Sequence, residues 1–370
     1  VAPRSALEGL GMTLFNGQYR GRRVLVTGHT GFKGSWLSLW LRELGAEPIG
    51  LALPPETAPN HWQLLGLDMV EYLQDMRDSA AVAEIVADVQ PDIVFHLAAQ
   101  PLVRRGYRQP LDTWTSNVVG SANLLEACRH VPAVKAVVVV TTDKCYQNRE
   151  WPWGYRETDS LGGHDPYSAS KAAVELLAAS YRDAFFQRSG TPLLATARAG
   201  NVIGGGDWSE DRLIPDLVRA VEAGETLEIR SPQATRPWQH VLESLSGYLL
   251  LGQHLLEERR DAADAWNFGP DAEGNRSVAD VLTELQRHWP KLHWQIGSAP
   301  QPHEAGLLYL DSSKAKSRLD WRPVWPLDTA LAATAAWYQA PLSAKPAVSR
   351  AQLQDYSAAA RQAGIAWARS

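Results

Sequence analysis

From residue 24 to about residue 198 the chain alternates short aliphatic, β-branched runs with helical patterns, and this alternation restricts the fold more than any other feature. Runs 24–27, 49–53, 93–97, 137–142 and 193–198 are apolar almost throughout. Strands covered by helices on both faces have that composition, whereas half-exposed strands alternate apolar with polar residues. Segments 35–44, 79–89, 113–130 and 166–187 read as the intervening helices. Strands joined by helices of this length form right-handed βαβ units. The expected fold class is α/β, a Rossmann-like doubly wound parallel sheet over residues 16–200. Beyond Asn201 the rhythm loosens, with Gly204-Gly205-Gly206, several prolines and shorter elements. Residues 201–340 are read mainly as a smaller C-terminal α/β substrate-binding lobe, closing over the carboxyl edge of the sheet where such folds hold ligands. Residues 1–15 and 341–370 are read as tails, the second Ala- and Gln-rich with a terminal helix.

At 370 residues and 45% hydrophobic, the chain is long enough for a large core in two lobes. A net charge of −5 argues against a nucleic-acid or anionic-membrane partner. A phosphate-bearing ligand must then be held by a local group of arginines. The two cysteines, Cys128 and Cys145, give neither a disulfide framework nor a zinc spacing. A reducing cytoplasm fits. No apolar run approaches the roughly 18 residues of a membrane span, and residues 1–15 lack the apolar block of a signal peptide. The sequence begins at Val1, and Met12 is read as the natural start, with residues 1–11 foreign to it.

Gly28-His29-Thr30-Gly31-Phe32-Lys33-Gly34 follows the first strand and opens a helix, with G-x-x-G-x-x-G spacing. Small residues at such a turn let the backbone approach a pyrophosphate seated on the helix N-terminus. The acidic residue expected to hold a ribose at the end of the second strand is missing, because Leu51-Ala52-Leu53-Pro54 stands there. The residues themselves therefore leave NAD and NADP open. Asp75 and Met76, just after the third strand, are candidates for holding the adenine, and an ordinary loop carboxylate is an equal reading of Asp75. Leu97-Ala98-Ala99 ends the fourth strand with side chains small enough for a cofactor to cross, or simply to pack.

Thr142-Asp143-Lys144 is followed by Tyr167-Ser168-Ala169-Ser170-Lys171. Tyr167 and Lys171, at i and i+4, share one face of a helix. There an ammonium can lower the phenol from its usual value of about 10, making tyrosinate a usable base. Removing a proton from a sugar hydroxyl during hydride transfer needs such a base. Asp143 and Lys144 add a second acid–base couple, which points to oxidation and elimination in one site. Adjacent strand residues face opposite ways. Both can serve one site only if the strand stops near Thr142 and the chain turns, and the alternative is a surface ion pair. Cys145 has no histidine near it in sequence and is read as a buried small hydrophobe. His164 and His240 have no metal-ligand spacing, and no metal is expected. Trp208 and Trp238 are candidates for stacking on a base. Arg212, Arg230 and Arg236, the last within Arg236-Pro237-Trp238-Gln239-His240, have the guanidinium forks that suit a diphosphate.

The order Thr-Gly-His-Thr-Gly-Phe-Lys-Gly-Ser-Trp, His-Leu-Ala-Ala-Gln, Thr-Asp-Lys, Tyr-x-x-x-Lys resembles the extended short-chain dehydrogenase/reductase family. Residues 198–208 and 236–241, Trp266-Asn267-Phe268-Gly269-Pro270 and His303-Glu304-Ala305 are similar to its CDP-glucose 4,6-dehydratase branch. The resemblance spans roughly residues 16–340. It implies NAD, regenerated each cycle, with CDP-glucose as substrate and a homodimer joined by a four-helix bundle of 113–130 and 166–187. Its catalytic set is Thr142, Asp143, Lys144, Tyr167 and Lys171. The cofactor set is Gly28, Thr30, Gly31, Phe32, Lys33, Gly34, Asp75, Met76, Leu97, Ala98 and Ala99, together with Tyr167 and Lys171. The substrate set is Asn201, Arg212, Arg236, His240 and Asn267.

The implied reaction oxidises C4 of glucose, eliminates water across C5 and C6, and returns hydride to C6 for deoxysugar biosynthesis. Tyr167 takes the C4 hydroxyl proton with Thr142 bonding the same oxygen, Lys144 removes the C5 proton and Asp143 protonates the departing hydroxyl. Dehydratases outside this branch usually carry Glu where Lys144 stands, so the C5 base remains open between Lys144 and a relayed water. The alternatives are a sugar-nucleotide epimerase, a dehydratase using another nucleotide, and a non-catalytic NAD-binding regulator.

Overall fold

The computed structural model describes residues 13–229, 231–297 and 306–369. Met12 with residues 1–11, Arg230, and the segment His303-Glu304-Ala305 lie outside the described residues.

The central sheet has seven parallel strands: β1 (Arg23–Thr27), β2 (Glu47–Ala52), β3 (Glu71–Leu73), β4 (Ile93–His96), β5 (Ala136–Val140), β6 (Leu193–Ala199) and β7 (Ala265–Phe268). Their spatial order is β7-β6-β5-β4-β1-β2-β3. The winding therefore reverses between β1 and β4, and a crevice opens beyond their carboxyl ends. Thr27 marks that point. Its hydroxyl accepts from the Leu97 and Ala98 amides, both at 3.1 Å.

Alternate strand residues face opposite layers, and each layer is apolar. Val24, Val26, Phe95 and Val138 pack with Trp36 and Trp40 on one side. Leu25, Val94, Val137 and Val139 pack with Leu124 and Val174 on the other. The principal helices are α1 (Phe32–Glu43), α2 (Ser79–Val89), α3 (Gly120–Arg129), α4 (Pro166–Phe185), α5 (Val241–Leu256), α6 (Leu327–Gln339) and α7 (Lys345–Gln362). Helix α4 starts where Asp165 caps it, accepting from the Ser168 amide at 3.0 Å, with Pro166 in the first turn. The helix read over 113–130 begins instead at Pro110 and passes through a π turn, Thr115–Val119, before α3. That turn buries Asn117, which accepts from the Gln100 amide at 2.7 Å and donates to Ser170 at 2.8 Å.

Past Asn201 the described residues add three two-stranded pairs, and the chain returns to the sheet at β7 before two of those pairs are completed. Helix α5 covers β5 and β6, and β7 completes the sheet edge. The segment read as a second tail is mostly α7, with Leu353 and Tyr356 buried. Beyond it Trp367 stacks on Phe15 with ring centroids 5.0 Å apart. Its apolar residues are spread thinly among Ala and Gln, so only packing reveals which face turns inward. Among the described residues no helix is long and apolar enough to cross a membrane.

Candidate active site

Strand β5 stops at Val140, and residues Asp143–Cys145 form a single 3₁₀ turn. Thr142 caps that turn, its hydroxyl accepting from the Lys144 amide at 3.3 Å and donating to Asp143 Oδ1 at 2.9 Å. The turn brings Asp143 and Lys144 to one place despite their adjacency. Lys144 Nζ lies 3.5 Å from Asp143 Oδ1 and 3.5 Å from Asn201 Oδ1. Asp143 is fully buried, and its Oδ2 has no hydrogen-bond partner among the described residues. Buried acceptors without partners are uncommon. Cys145 is also fully buried, and burial pushes its thiol up, as a core position requires.

Tyr167 stands in the first turn of α4 and is hydrogen-bonded to Thr142. The electrostatics differ from the sequence expectation. Burial pushes the Tyr167 phenol up to about 12, and the Thr142 hydrogen bond only partly opposes this. Lys171 Nζ donates to the Val140 carbonyl at 3.2 Å. Burial pushes Lys171 down to about 8, against the favourable charge of Glu175.

All the residues assigned to a dinucleotide, Tyr167 and Lys171 included, line one cavity at the β1–β4 crevice. The glycine loop is shaped for close approach. Gly28 has φ +75°, and a Cβ there would meet the Ala98 nitrogen at 2.7 Å. Gly31 caps α1 without a side chain, which leaves the first-turn N–H groups available to an anion. Asp75 accepts from Arg77 Nε at 2.9 and 3.0 Å, and that guanidinium holds the carboxyl below its usual range. Lys33 lines this cavity from the first turn of α1. It donates to the Tyr248 hydroxyl at 3.1 Å inside the fold, where burial pushes it down to about 7.

A second cavity adjoins the first and shares Lys33, Thr141, Tyr167 and Arg212 with it. Thr142, Lys144, Asn201, Arg236 and Trp238 also line it. Arg212 is held by Asp207 at 3.0 Å, and Arg236 donates to the Thr235 carbonyl at 2.8 Å. Trp208 lines the dinucleotide cavity. At the rim, Arg104 pairs with Asp211 at 3.0 Å, and Arg105 bridges Glu56 at 2.8 Å and Glu210 at 3.2 Å.

Two residues assigned to substrate lie elsewhere. His240 is fully buried and caps α5, its Nδ1 accepting from the Leu242 amide at 3.3 Å, with Trp36 and Trp325 around it. Burial holds it neutral, down to about 3. Asn267 is fully buried as well, accepting from Tyr146 Oη at 2.7 Å and donating to the carbonyls of Tyr155 (2.8 Å) and Asp311 (3.1 Å). Neither lines either of these two cavities. Sequence reasoning also passed over Glu175 and Arg198. The available signal was a charged residue inside an apolar strand run, which needs a buried counter-charge.

The sheet order, the glycine cradle at the switch point and the Tyr167–Lys171 couple define a member of the extended short-chain dehydrogenase/reductase class. The family model described as GDP-mannose 4,6 dehydratase matches residues 25–334, and the chain belongs to that family. It is 45% identical over 350 residues to the CDP-glucose 4,6-dehydratase of Salmonella typhimurium, covering 92% of this chain and 98% of that one. A dTDP-glucose 4,6-dehydratase of Xanthomonas campestris pv. campestris is 27% identical, with 85% and 92% covered. The crystal structure of the Streptomyces venezuelae dTDP-glucose 4,6-dehydratase with NAD and TYD bound is similar with a TM-score of 0.73. It is 26% identical, with 86% of this chain and 97% of that one covered.

Proposed function

We propose that the protein is an NAD-dependent CDP-glucose 4,6-dehydratase, converting CDP-glucose to CDP-4-keto-6-deoxy-glucose and water. The observation that carries this reading is the Asp143–Lys144 pair held beside Thr142, which is hydrogen-bonded to Tyr167. Thr142 and Lys144 line the second cavity, and Tyr167 lines both. A simple dehydrogenase or epimerase has no use for that second couple. The 45% identity to a CDP-glucose 4,6-dehydratase supports the choice of reaction and nucleotide. The glycine cradle and the uncapped start of α1 suit the pyrophosphate of NAD. When bound, NAD accepts the C4 hydride and returns it to C6.

Tyr167 removes the proton of the C4 hydroxyl, and Thr142 orients that oxygen. The resulting ketone acidifies the C5 proton. Asp143 and Lys144 begin as an ion pair, and one proton passing from Lys144 to Asp143 prepares both partners. The neutral amine then removes the C5 proton, and the carboxylic acid protonates the departing C6 hydroxyl. As hydride reaches C6, the Lys144 ammonium returns a proton to C5. Arg212 and Arg236 suit the diphosphate, and Asn201 suits the sugar, all from the wall of the second cavity.

The test is incubation with NAD and CDP-glucose deuterated at C4, with mass and NMR analysis of the sugar. Loss of water with deuterium at C6 is expected. Turnover without water loss would sink dehydration in favour of epimerisation, and activity with another nucleotide alone would overturn the CDP assignment.

Lys144→Ala is expected to slow C5 proton exchange by about 10²–10⁴-fold, as loss of a general base does. Near-normal exchange, read by deuterium uptake from solvent, would remove its direct-base role. The pH profile is also set. Tyrosinate grows with pH, whereas the Lys171 ammonium is present below about 8 and lost above it. Hence kcat/KM should rise toward pH 8 and level off beyond, the gain in tyrosinate offsetting the loss of ammonium. By contrast kcat, with the base generated in the bound complex, should fall above pH 8. Continued rise of kcat/KM to pH 10 would show that the ammonium is not required. Gly34→Ala would place a Cβ 2.1 Å from the Gly28 carbonyl oxygen, which neither backbone segment can yield cheaply. NAD affinity should fall by about 5- to 150-fold, as overpacking of 1–3 kcal/mol implies. Calorimetric titration reads this directly.

The chain is further proposed to act in the cytoplasm as a homodimer, through a four-helix bundle of residues 110–129 and α4. Leu111 (80% exposed), Leu176 (61%), Trp114, Val119 and Phe185 give these segments apolar side chains facing outward. Light scattering at twice the chain mass supports the dimer, and a monomer would overturn it.

A further inference from the structure

Glu175 and Arg198 form an ion pair 2.7 Å long whose side chains are 2% and 3% exposed. Neither lines either of the two cavities described above. A buried pair is a poor source of stability, since apolar replacements are often neutral or better. Its partners suggest a different role. Glu175 lies on α4, one turn beyond Lys171 and two beyond Tyr167, so all three share a helix face. Its Oε1 accepts from the Thr141 hydroxyl, and its Oε2 accepts from Thr196 at 2.7 Å. Arg198 donates to the Tyr146 hydroxyl at 2.7 Å, and its guanidinium lies over the Tyr146 ring, 5.0 Å from the centroid. Thr141 and Tyr146 are the residues immediately flanking Thr142–Cys145. The ion pair therefore grips both ends of the catalytic turn and fastens them to the catalytic helix.

We propose that Glu175 is a positioning residue: locked by Arg198, it sets the catalytic turn against α4 and holds a fixed negative charge one turn below Lys171. This rests on the dehydratase reading above and deepens it. The groups facing Lys171 are Glu175 on its own helix, Cys145 from the turn, His96 at the end of β4 and Lys33 from α1. Of these, Glu175 and Cys145 favour the ammonium, and burial opposes it. Removing the Glu175 charge makes the ammonium easier to lose, so the alkaline loss of activity moves to lower pH.

The experiment compares wild type, Glu175→Gln and Thr141→Val by kcat, KM and pH profile on CDP-glucose. The Lys171 titration is followed separately, by NMR of isotope-labelled lysine without substrate. For Glu175→Gln, kcat should fall at least about tenfold, as misplacement of catalytic groups does. KM should stay within about twofold. The alkaline limb and the Lys171 midpoint should both move to lower pH. Thr141→Val removes the tether and keeps the charge, so kcat should fall with the limb unmoved. If Glu175→Gln leaves Arg198 unpaired and fails to fold, Glu175→Gln/Arg198→Met removes both charges and should give a smaller shift in the same downward direction. A folded variant lacking the Glu175 carboxylate, with wild-type kcat and Lys171 midpoint, would overturn the proposal. Wild type inactive on CDP-glucose would refute the substrate reading instead, and the Lys171 midpoint, read without substrate, would still decide the charge role.

Discussion

Replacing Tyr167 with Phe is expected to lower kcat by about 10²–10⁴-fold while NAD still binds, because it removes the C4 general base and little else. That loss corresponds to about 3–5 kcal/mol of barrier. The ring packs at the start of α4 and stays in place, and Thr142 retains Asp143 as a hydrogen-bond partner at 2.9 Å. Stability should therefore change by about 1 kcal/mol at most, the net value of one hydrogen bond. Both half-reactions should fail together, since C4 oxidation precedes elimination and no reduced nicotinamide can form. A variant within fivefold of wild type would show that Thr142 or water serves as the base. The phenol is pushed up to about 12 in the free protein, so the base must be generated in the bound complex. The cationic nicotinamide of oxidised NAD is a charge of the right sign to do so.

Asp143→Asn should separate the two half-reactions. The amide keeps the shape and can still accept from Thr142, but it cannot supply the proton that the C6 hydroxyl needs on leaving. Water loss should slow by about 10²–10⁴-fold, while C4 oxidation continues and reduced nicotinamide builds up with substrate. The signature is nicotinamide absorbance rising without formation of the 6-deoxy sugar. Product formation at the wild-type rate would transfer the acid role away from Asp143. Lys144 loses its charged partner in this variant. Persistent C5 exchange would then also show that Lys144 acts as base without the pair.

The strands were readable because a buried parallel strand must be apolar along its length, a property each short segment carries by itself. The same holds for the glycine turn, where close approach demands missing side chains, and for Tyr167 with Lys171, whose common face follows from helix geometry. Those features depend on neighbours within a few residues. Others do not. His240 and Asn267 sit in a conspicuous polar stretch and near a strand end, yet both turn inward to Leu242, Tyr146 and Tyr155. Lys33 is in the phosphate-approach loop by sequence and bonds Tyr248, 215 residues away. The Ala-rich end of the chain shows no bold apolar stripe, and α7 is fixed by Tyr356 bonding Glu243 at 2.8 Å, across 113 residues.

Sequence by itself determined the layered α/β fold, the place where a dinucleotide can lie and the types of acid and base on offer. Only the tertiary structure decided which of these face the cavity, that Lys171 serves the Val140 carbonyl in the free protein, and that Glu175 and Arg198 anchor the turn bearing Asp143. The physical reason is that local conformation is set by short-range sterics and hydrogen bonding. The direction of a side chain and the charge it keeps are set by desolvation and by partners brought together from distant parts of the chain.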